Sequence, residues 1–534
     1  MENLVVTKEE AKRLDSFTIN KLGIPAAVLM ENAGRSSTFE ILNRYPWITS
    51  AAILVYKGNN GGDGLVIARY LHEAGKAVKV VLLADPKNFS GDALKNYKIA
   101  ENLKIPMIKC VSGSTARIKF LLNKSDLIVD AIFGVGLSSK ITGFLAKVIN
   151  EVNKVTQPIK VAVDVPSGID ADTGKVLGTA CKVDLTATMA FIKKGLLEPE
   201  ARSYVGRVVV INIGIPTSIL IKQPKKGKSS PAKISEKGID IITSAFASNV
   251  LKIRKYDSNK GDFGRVLIVG GSRGMSGAVI LAASSALKSG AGLVYAAVPK
   301  GISNIVESAC IEPITLPLPE SKEGSFCFDS IDPLAHKLNK IDAILIGPGM
   351  AASLEAKEFF FEFLSLLVKE KSKIPVIIDA DGLNCLSENI EVLSKVTFPV
   401  VLTPHPGEFG RLIKSTIPTV KEKRIALSEL FAERFKINLV LKGAYTLCTK
   451  GKKKTSINFT GNPGMASAGM GDVLSGLLAS LIGQGIDPFS ASKAAVFIHG
   501  LAGDVLERQI GVHGLIATSV VDTLPLVIKS LYRG

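Results

Sequence analysis

Apolar residues along this chain fall into short continuous runs, separated by longer stretches in which polar and apolar positions recur at helical spacing. In the first half the runs are 51–56 (AAILVY), 77–83 (AVKVVLL), 127–132 (LIVDAI), 159–163 (IKVAV) and 208–213 (VVVINI). In the second half they are 265–269 (RVLIV), 293–298 (LVYAAV), 343–346 (AILI), 376–379 (VIID), 400–403 (VVLT) and 438–442 (NLVLK). Strands that are apolar on both faces and separated by helix-length segments predict parallel sheets covered on both sides. Residues 222–236 (KQPKKGKSSPAKISE) break the pattern: they are basic, hold two prolines and lack periodicity, which predicts a linker. The expected layout is therefore α/β throughout, with a domain over 1–221 and a second over 237–534.

A length of 534 residues agrees with two or three domains. With 46% hydrophobic and 21% charged residues, the chain can bury a sizeable core. The formal net charge of +18 raises the question of a polyanionic partner. Lys and Arg are spread along the chain, however, with no zinc-finger spacing, RNP motif or basic-aromatic stripe. The densest runs, 222–228 and 450–454, read as the linker and a hairpin tip, so solvated surface is expected and nucleic acid is not. Small nucleotide anions would be drawn in by the same field. Cys110, Cys181, Cys310, Cys327, Cys385 and Cys448 form no C-x-x-C pair, which argues for a reducing compartment. The start, MENLVVTKEE, is charged too early for a signal peptide, and no apolar run approaches about 18 residues. A cytoplasmic chain without a membrane span is expected.

The first candidate site follows the run at 51–56. Gly58, Asn59, Asn60, Gly61, Gly62, Asp63 and Gly64 lead into a helical stretch at 65–74. A strand, a Gly-rich turn and a helix start offer backbone N–H groups to a phosphate. The spacing is not G-x-G-x-x-G, which disfavours an ordinary dinucleotide-binding dehydrogenase. Two further runs end in carboxylates at the same predicted edge: Asp130, followed by 133–138 (FGVGLS), and Asp164, followed by 165–170 (VPSGID). A carboxylate there serves as a base or a cation ligand, or merely caps a turn.

These three motifs, 59–64 (NNGGDG), 130–136 (DAIFGVG) and 164–168 (DVPSG), resemble in type and order those of NAD(P)H-hydrate epimerases, the YjeF N-terminal domains. The resemblance covers about 1–221. It implies a Rossmann-like three-layer sandwich that interconverts the R and S hydrates of the nicotinamide ring. It further implies that Asn59, Asn60, Gly61, Gly62 and Asp63, with Gly134, Val135, Gly136, Leu137, Ser138, Ser139 and Lys140, hold the substrate. Asp164 would both touch the substrate and transfer the proton. Asn60, Asp130 and Ser167 would bind a potassium ion. Val135 stands where the family usually has Thr.

In the second half, Gly-rich or Pro-rich segments follow successive runs: 270–278 (GGSRGMSGA), 347–349 (GPG), 379–383 (DADGL) and 403–408 (TPHPGE). The longest is 461–472 (GNPGMASAGMGD), which opens an apolar helix expected over 473–481. Small residues before a helix start form an anion hole in which N–H groups and the helix dipole stabilise a transferring phosphoryl group. Asp472 is placed to accept a proton from a substrate hydroxyl. No Walker A lysine motif or kinase catalytic loop is present.

Through 469–472 (GMGD) this half resembles the ribokinase-like superfamily. Through 260–277, 347–349, 402–409 (LTPHPGEF), 441–446 (LKGAYT) and 462–476 it is similar to the ADP- or ATP-dependent NAD(P)H-hydrate dehydratases. The resemblance implies a ribokinase-like three-layer sandwich. It places Ala278, Gly349, His405 and Asp472 on the hydrate, and Lys442, Gly443, Ala444, Tyr445, Thr446 and Gly471 on the adenine nucleotide. The implied chemistry is phosphorylation of the C6 hydroxyl with Asp472 as base, then loss of phosphate, with Mg2+ and ADP or ATP required. Fusion of the halves lets both epimers of NADHX and NADPHX drain through one dehydratase, and α/β enzymes of this kind commonly form symmetric homo-oligomers. Two other readings stay open at this point: a small-alcohol or vitamin-precursor kinase, and a nucleotide sensor without catalysis. His72, His336, His499 and His513 have no metal-ligand spacing and read as structural.

Overall fold

The computed structural model describes residues 5–216, 240–452 and 454–532. The chain forms two compact units, Met1–Gly238 and Ile239–Gly534. The expected linker at 222–236 lies outside the described residues.

In the first unit the strands are β1 (Val5–Val6), β2 (Ser50–Val55), β3 (Ala77–Leu82), β4 (Met107–Lys109), β5 (Leu127–Ala131), β6 (Ile159–Val163), β7 (Leu185–Met189), β8 (Ile192–Lys193) and β9 (Arg207–Ile211). Seven of them form one sheet in the order β4-β3-β2-β5-β6-β7-β9, every pairing parallel; β1 and β8 pair separately. The central strands are buried along their length, which explains the continuous apolar runs. One face packs on the helices Ala26–Arg44 and Asn59–Glu73, the other on Ala116–Asn123 and Gly143–Lys154. The order reverses on either side of β2, so the C-terminal ends of β2, β5, β6 and β7 open a crevice, the ligand position in doubly wound sheets.

The 59–64 segment departs from the expected turn. The helix begins at Asn59, and only Gly58 (φ 106°) lies outside it. The glycines allow close packing. A Cβ at Gly61 would lie 1.8 Å from the Tyr56 carbonyl oxygen, one at Gly62 2.6 Å from Met30 Sδ, and one at Gly64 2.4 Å from Ala131 Cβ. Tertiary packing overrides the poor helix propensity of Asn and Gly here.

The second unit contains β10 (Asp240–Ile241), β11 (Arg265–Val269), β12 (Leu293–Pro299), β13 (Ile314–Leu318), β14 (Ala343–Ile346), β15 (Val376–Ile378), β16 (Val400–Leu402), β17 (Asn438–Leu441), β18 (Leu447–Thr449) and β19 (Thr455–Ile457). They form one sheet, β10-β19-β18-β17-β16-β15-β14-β11-β12-β13, parallel except where β18 pairs with β17 and β19. Lys450 and Lys454 lie at the β18–β19 hairpin, with Lys450 N–H donating to the Lys454 carbonyl at 3.0 Å. The Ala-rich helix Ser276–Lys288 lies against Met470–Gly483, where a Cβ at Gly476 would meet the Ala282 carbonyl oxygen at 2.1 Å. That second helix starts three residues before the expected 473, so Asp472 falls within its first turn. Among the described residues no helix is long and apolar enough to cross a membrane.

Candidate active sites

In the first unit, the ends of β5, β6 and β7 converge on Asp164. Its backbone is left-handed (φ 67°), a conformation that persists only where the surroundings impose it. Its Oδ1 accepts from Lys193 Nζ and from Met189 N–H (3.2 Å), and its Oδ2 accepts from Val135 N–H (3.2 Å). Lys193, at the end of β8, is 3% exposed and also donates to the Met189 carbonyl at 2.8 Å. Asp164 and Lys193 therefore form a buried ion pair beside the crevice.

Asp63 and Asp15 lie in the same field. Burial pushes the Asp63 carboxyl well above the ordinary carboxylate range, with Asp164 and Asp15 adding to the shift and Lys193 opposing it. Asp15 is pushed up to about 6 by burial of its carboxyl, opposed by Lys193 and reinforced by Asp164. Asp63 is thereby held toward its proton-bearing form, beside the Asp164–Lys193 ion pair.

Asp130, at the end of β5, is buried and ordered by Ser167, whose hydroxyl donates to Oδ1 at 2.6 Å and whose N–H donates to Oδ2 at 2.8 Å. Burial raises its pKa, and the Ser167 bonds oppose that rise. Phe133 N–H in turn donates to Ser167 Oγ at 2.8 Å, which ties the 133–140 loop to this carboxylate. A Cβ at Gly134 would sit 2.9 Å from Asn60 Oδ1 and 3.2 Å from Asp164 Oδ2, so glycine lets the two side chains close on the loop without shifting. Asn60 Nδ2 is buried without a hydrogen-bond partner among the described residues.

The structure thus brings together Asn60, Asp63, Asp130, Gly134, Val135, Asp164 and Ser167. Val135 contributes through its N–H, so the absence of the family's usual Thr removes nothing from this contact. Gly61 and Gly62 face protein, and Leu137 turns its side chain into the core. Asn59, Gly136, Ser138, Ser139 and Lys140 are exposed, and among the described residues none of them hydrogen-bonds Asp164. Lys193 was not legible beforehand: it stands beside Lys194 and resembles a surface pair.

In the second unit, segments from the ends of β11, β14, β15, β16 and β17 meet the start of the helix Met470–Gly483. Gly469 caps it in a left-handed conformation (φ 83°), with no side-chain cap, so Asp472 is not a capping residue. A Cβ at Gly471 would approach Lys442 Nζ to 3.2 Å. Lys442 Nζ donates to Asp379 Oδ1 at 2.8 Å and lies 3.9 Å from Glu408 Oε2. Burial acts to lower the Lys442 pKa, but Asp379, Glu408 and Asp472 outweigh it and leave the ammonium more firmly protonated than usual. Asp472 is pushed up to about 7, by burial first and then by Asp379, with Lys442 opposing.

His405 caps the helix Pro406–Leu412: Nδ1 accepts from the N–H groups of Gly407 (3.0 Å) and Glu408 (3.2 Å). That leaves the ring proton on Nε2. Burial, with Lys442 and Arg411, lowers its pKa, so it is neutral at physiological pH. Gly349 and Ala278 are neighbours, a Cβ at Gly349 falling 2.9 Å from Ala278 Cβ. Ala351 N–H donates to Asp381 Oδ2 at 3.0 Å, joining this corner to the β15 loop. Lys442, Gly443, Ala444, Tyr445 and Thr446 form the turn between β17 and β18, with Gly443 and Ala444 exposed. Asp379 and Glu408, assigned no role from sequence, are buried acids around Lys442.

Two parallel three-layer units, each with a carboxylate beside a lysine at its strand ends, define a two-domain α/β enzyme. Residues 26–195 match the YjeF-related protein N-terminus family, and 266–526 match the NAD(P)H-hydrate dehydratase family. The bifunctional NAD(P)H-hydrate repair enzyme Nnr of Moorella thermoacetica is 39% identical, over 99% of this chain and 97% of its own. The enzyme of the same description from Escherichia coli is 31% identical over 98% of this chain and 93% of its own. The chain belongs to the bifunctional NAD(P)H-hydrate repair enzymes. A solved ADP/ATP-dependent NAD(P)H-hydrate dehydratase from Bacillus subtilis, co-crystallised with ATP and Mg2+, is 28% identical, with a TM-score of 0.46, and covers 55% of this chain and 98% of that one.

Proposed function

We propose that the first unit interconverts the R and S hydrates of NADH and NADPH through Asp164, and that the second dehydrates the S form at the expense of ADP or ATP through Asp472. Carbon C6 of the hydrate carries both a hydroxyl and the ring nitrogen N1. A base that takes the hydroxyl proton opens the C6–N1 bond to an aldehyde, with the bonding pair and a proton going to N1; re-addition of N1 to the opposite face of the aldehyde returns the proton to oxygen and inverts the centre. Asp164 is the base in this scheme. Lys193 holds the carboxylate in place, and the proton-bearing Asp63 donates a hydrogen bond to the substrate.

In the second unit Asp472 takes the C6 hydroxyl proton as the terminal phosphoryl group of the nucleotide passes to that oxygen. The N–H groups at the start of its helix, with Lys442 behind them, stabilise the transferring charge. The C6–O bond of the phosphate ester then breaks, phosphate leaves, and loss of the C5 proton restores the dihydronicotinamide. His405, neutral and carrying its proton on Nε2, serves as a hydrogen-bond donor to the hydrate. The observation that carries this reading is Asp472 itself: a carboxylate in the first turn of a buried helix, titrating near neutrality, with Lys442 at its side.

Asn60, Asp130 and Ser167 offer hard oxygen donors suited to potassium. Such an ion would supply positive charge beside the substrate diphosphate. Among the described residues no group of three His, Cys, Asp or Glu is placed to hold a metal. The C-terminal carboxylates suit an Mg2+ that arrives on nucleotide phosphates and keeps most of its water. A cytoplasmic homo-oligomer acting on small molecules completes the reading. Chromatography of one purified hydrate epimer, incubated without nucleotide, tests the first activity. Formation of the other epimer above the spontaneous rate is expected, and a rate equal to the blank overturns it.

A further inference from the structure

The turn 442–446 has an unusual arrangement of backbone groups. Gly443 (φ 137°) and Tyr445 (φ 57°) both have positive φ, and Tyr445 carries a side chain there, so the conformation requires outside support. Every carbonyl from Gly443 to Thr446 is turned toward protein. The Gly443 carbonyl accepts from Thr446 Oγ1 at 2.9 Å, and the Thr446 carbonyl accepts from Asn458 N–H at 2.9 Å. The two between them are taken by one side chain: Arg424 Nη1 donates to the Ala444 carbonyl at 2.8 Å and Nη2 to the Tyr445 carbonyl at 2.5 Å. Arg424 is 6% exposed and opens the helix Arg424–Phe435, on the far side of the turn from solvent. With the carbonyls turned inward, the exposed Gly443 and Ala444 present N–H groups that have no hydrogen-bond partner among the described residues, an arrangement suited to an anion.

We propose that Arg424 is the positioning residue of the nucleotide loop. Its guanidinium fork turns the Ala444 and Tyr445 carbonyls inward, keeps the loop presenting N–H donors to the adenine nucleotide, and sets nucleotide affinity without touching the nucleotide. This rests on the reading that the turn binds the cosubstrate. A planar fork spans two adjacent carbonyls; an ammonium satisfies them only one at a time, and a thioether neither. Without the fork, the two peptides are free to rotate and expose carbonyl oxygens to phosphate.

The test compares Arg424→Lys and Arg424→Met with the full-length wild type, using ADP and ATP as probes in calorimetry and in steady-state dehydration. Arg424→Met is expected to raise the nucleotide Kd and KM roughly ten- to a hundredfold, the range for losing hydrogen bonds to a charged group. Arg424→Lys should fall between it and wild type. In both, kcat at saturating nucleotide should stay within about threefold, and hydrate KM and epimerase rate should be unchanged. If Arg424→Met fails to fold by thermal unfolding, Arg424→Lys carries the test. Equal rises in hydrate KM and nucleotide KM, or a nucleotide KM within twofold of wild type in a folded variant, overturn the proposal. Ala444→Asp separates the two levels of inference, because a carboxylate on the exposed turn should repel the nucleotide. If Ala444→Asp binds ADP as wild type does, the nucleotide reading of the turn fails. If it loses ADP while Arg424→Met keeps it, only the role of Arg424 fails.

Discussion

Each unit sets a carboxylate and a lysine at the C-terminal edge of a parallel sheet, but the pairs are wired differently. In the first unit the lysine belongs to the carboxylate proposed as base: Lys193 Nζ bonds Asp164 directly, and the neighbouring Asp63 is the group driven toward its neutral form. In the second unit the lysine belongs to another acid. Lys442 is bound to Asp379, and Asp472 beside them is left under-compensated and pushed up to about 7. Under the proposed roles, one site keeps its base as an ion pair and supplies a proton from a second acid. The other raises the basicity of a single carboxylate toward neutrality. The difference suits an epimerisation, in which a proton leaves and returns, against a phosphoryl transfer, in which it leaves once.

The largest expected effect separates the sites completely. Asp472→Asn should lower dehydration by roughly 10²–10⁴-fold and leave epimerisation intact, and Asp164→Asn should do the reverse. Chromatography of both epimers beside the absorbance assay reads the two rates, and a shared loss would break the comparison. Asp472 also has a stability signature of definite sign. Its folded pKa is above its unfolded one, so its contribution is fully present in acid and is lost as pH rises through about 7. Asp472→Asn should therefore melt higher at pH 8, by roughly 2–4 °C for each kcal/mol relieved, in a calorimetric scan.

Lys193→Met should be the next largest, with a cost of about 3–5 kcal/mol to the first unit, because Asp164 is left buried without its counter-ion. Urea unfolding followed in that unit measures it; an unchanged midpoint would mean that the pair contributes nothing. A smaller effect lies in the pH profile. Dehydration kcat/KM should fall about tenfold per unit below pH 7 as Asp472 takes up its proton. Asp379→Asn should move that acid limb to lower pH, since it removes a negative neighbour and frees Lys442 to act on Asp472. A limb that stays in place would assign it to another group. The smallest is Gly61→Ala, whose Cβ would strike the Tyr56 carbonyl and cost about 1–3 kcal/mol, read as a lowered Tm.

How much of this was legible in the sequence differs between strands, helices and sites. The central strands could be read because burial on both faces leaves a continuous apolar run, and most began or ended within a residue or two of expectation. β7 (LTATM) was hidden because Thr186 and Thr188, fully buried, satisfy their hydroxyls on nearby carbonyls and so look polar only in one dimension. β13 carries Pro317, which reads as a breaker yet is tolerated at the sheet's outer edge. The helix at 59–73 was concealed by Asn and Gly, which a propensity argument assigns to a turn and which close packing selects for a helix.

The strand-end acids Asp130 and Asp164 and the helix-start Asp472 stood out because each follows a recognisable element. Lys193, Lys442's partner Asp379 and Arg424 did not. A lone lysine beside another, or an arginine within 421–424 (KEKR), looks like solvated charge until the fold buries it.

The most direct measurement of the central claim, that two independent sites on one chain act in series, is recovery of reduced-nicotinamide absorbance from a racemic hydrate sample supplied with ADP or ATP, scored against spontaneous epimerisation. The expected result is complete recovery with wild type and a halt at about half with Asp164→Asn. A halt at half with wild type would contradict the epimerase assignment, and no recovery with either nucleotide would contradict the dehydratase.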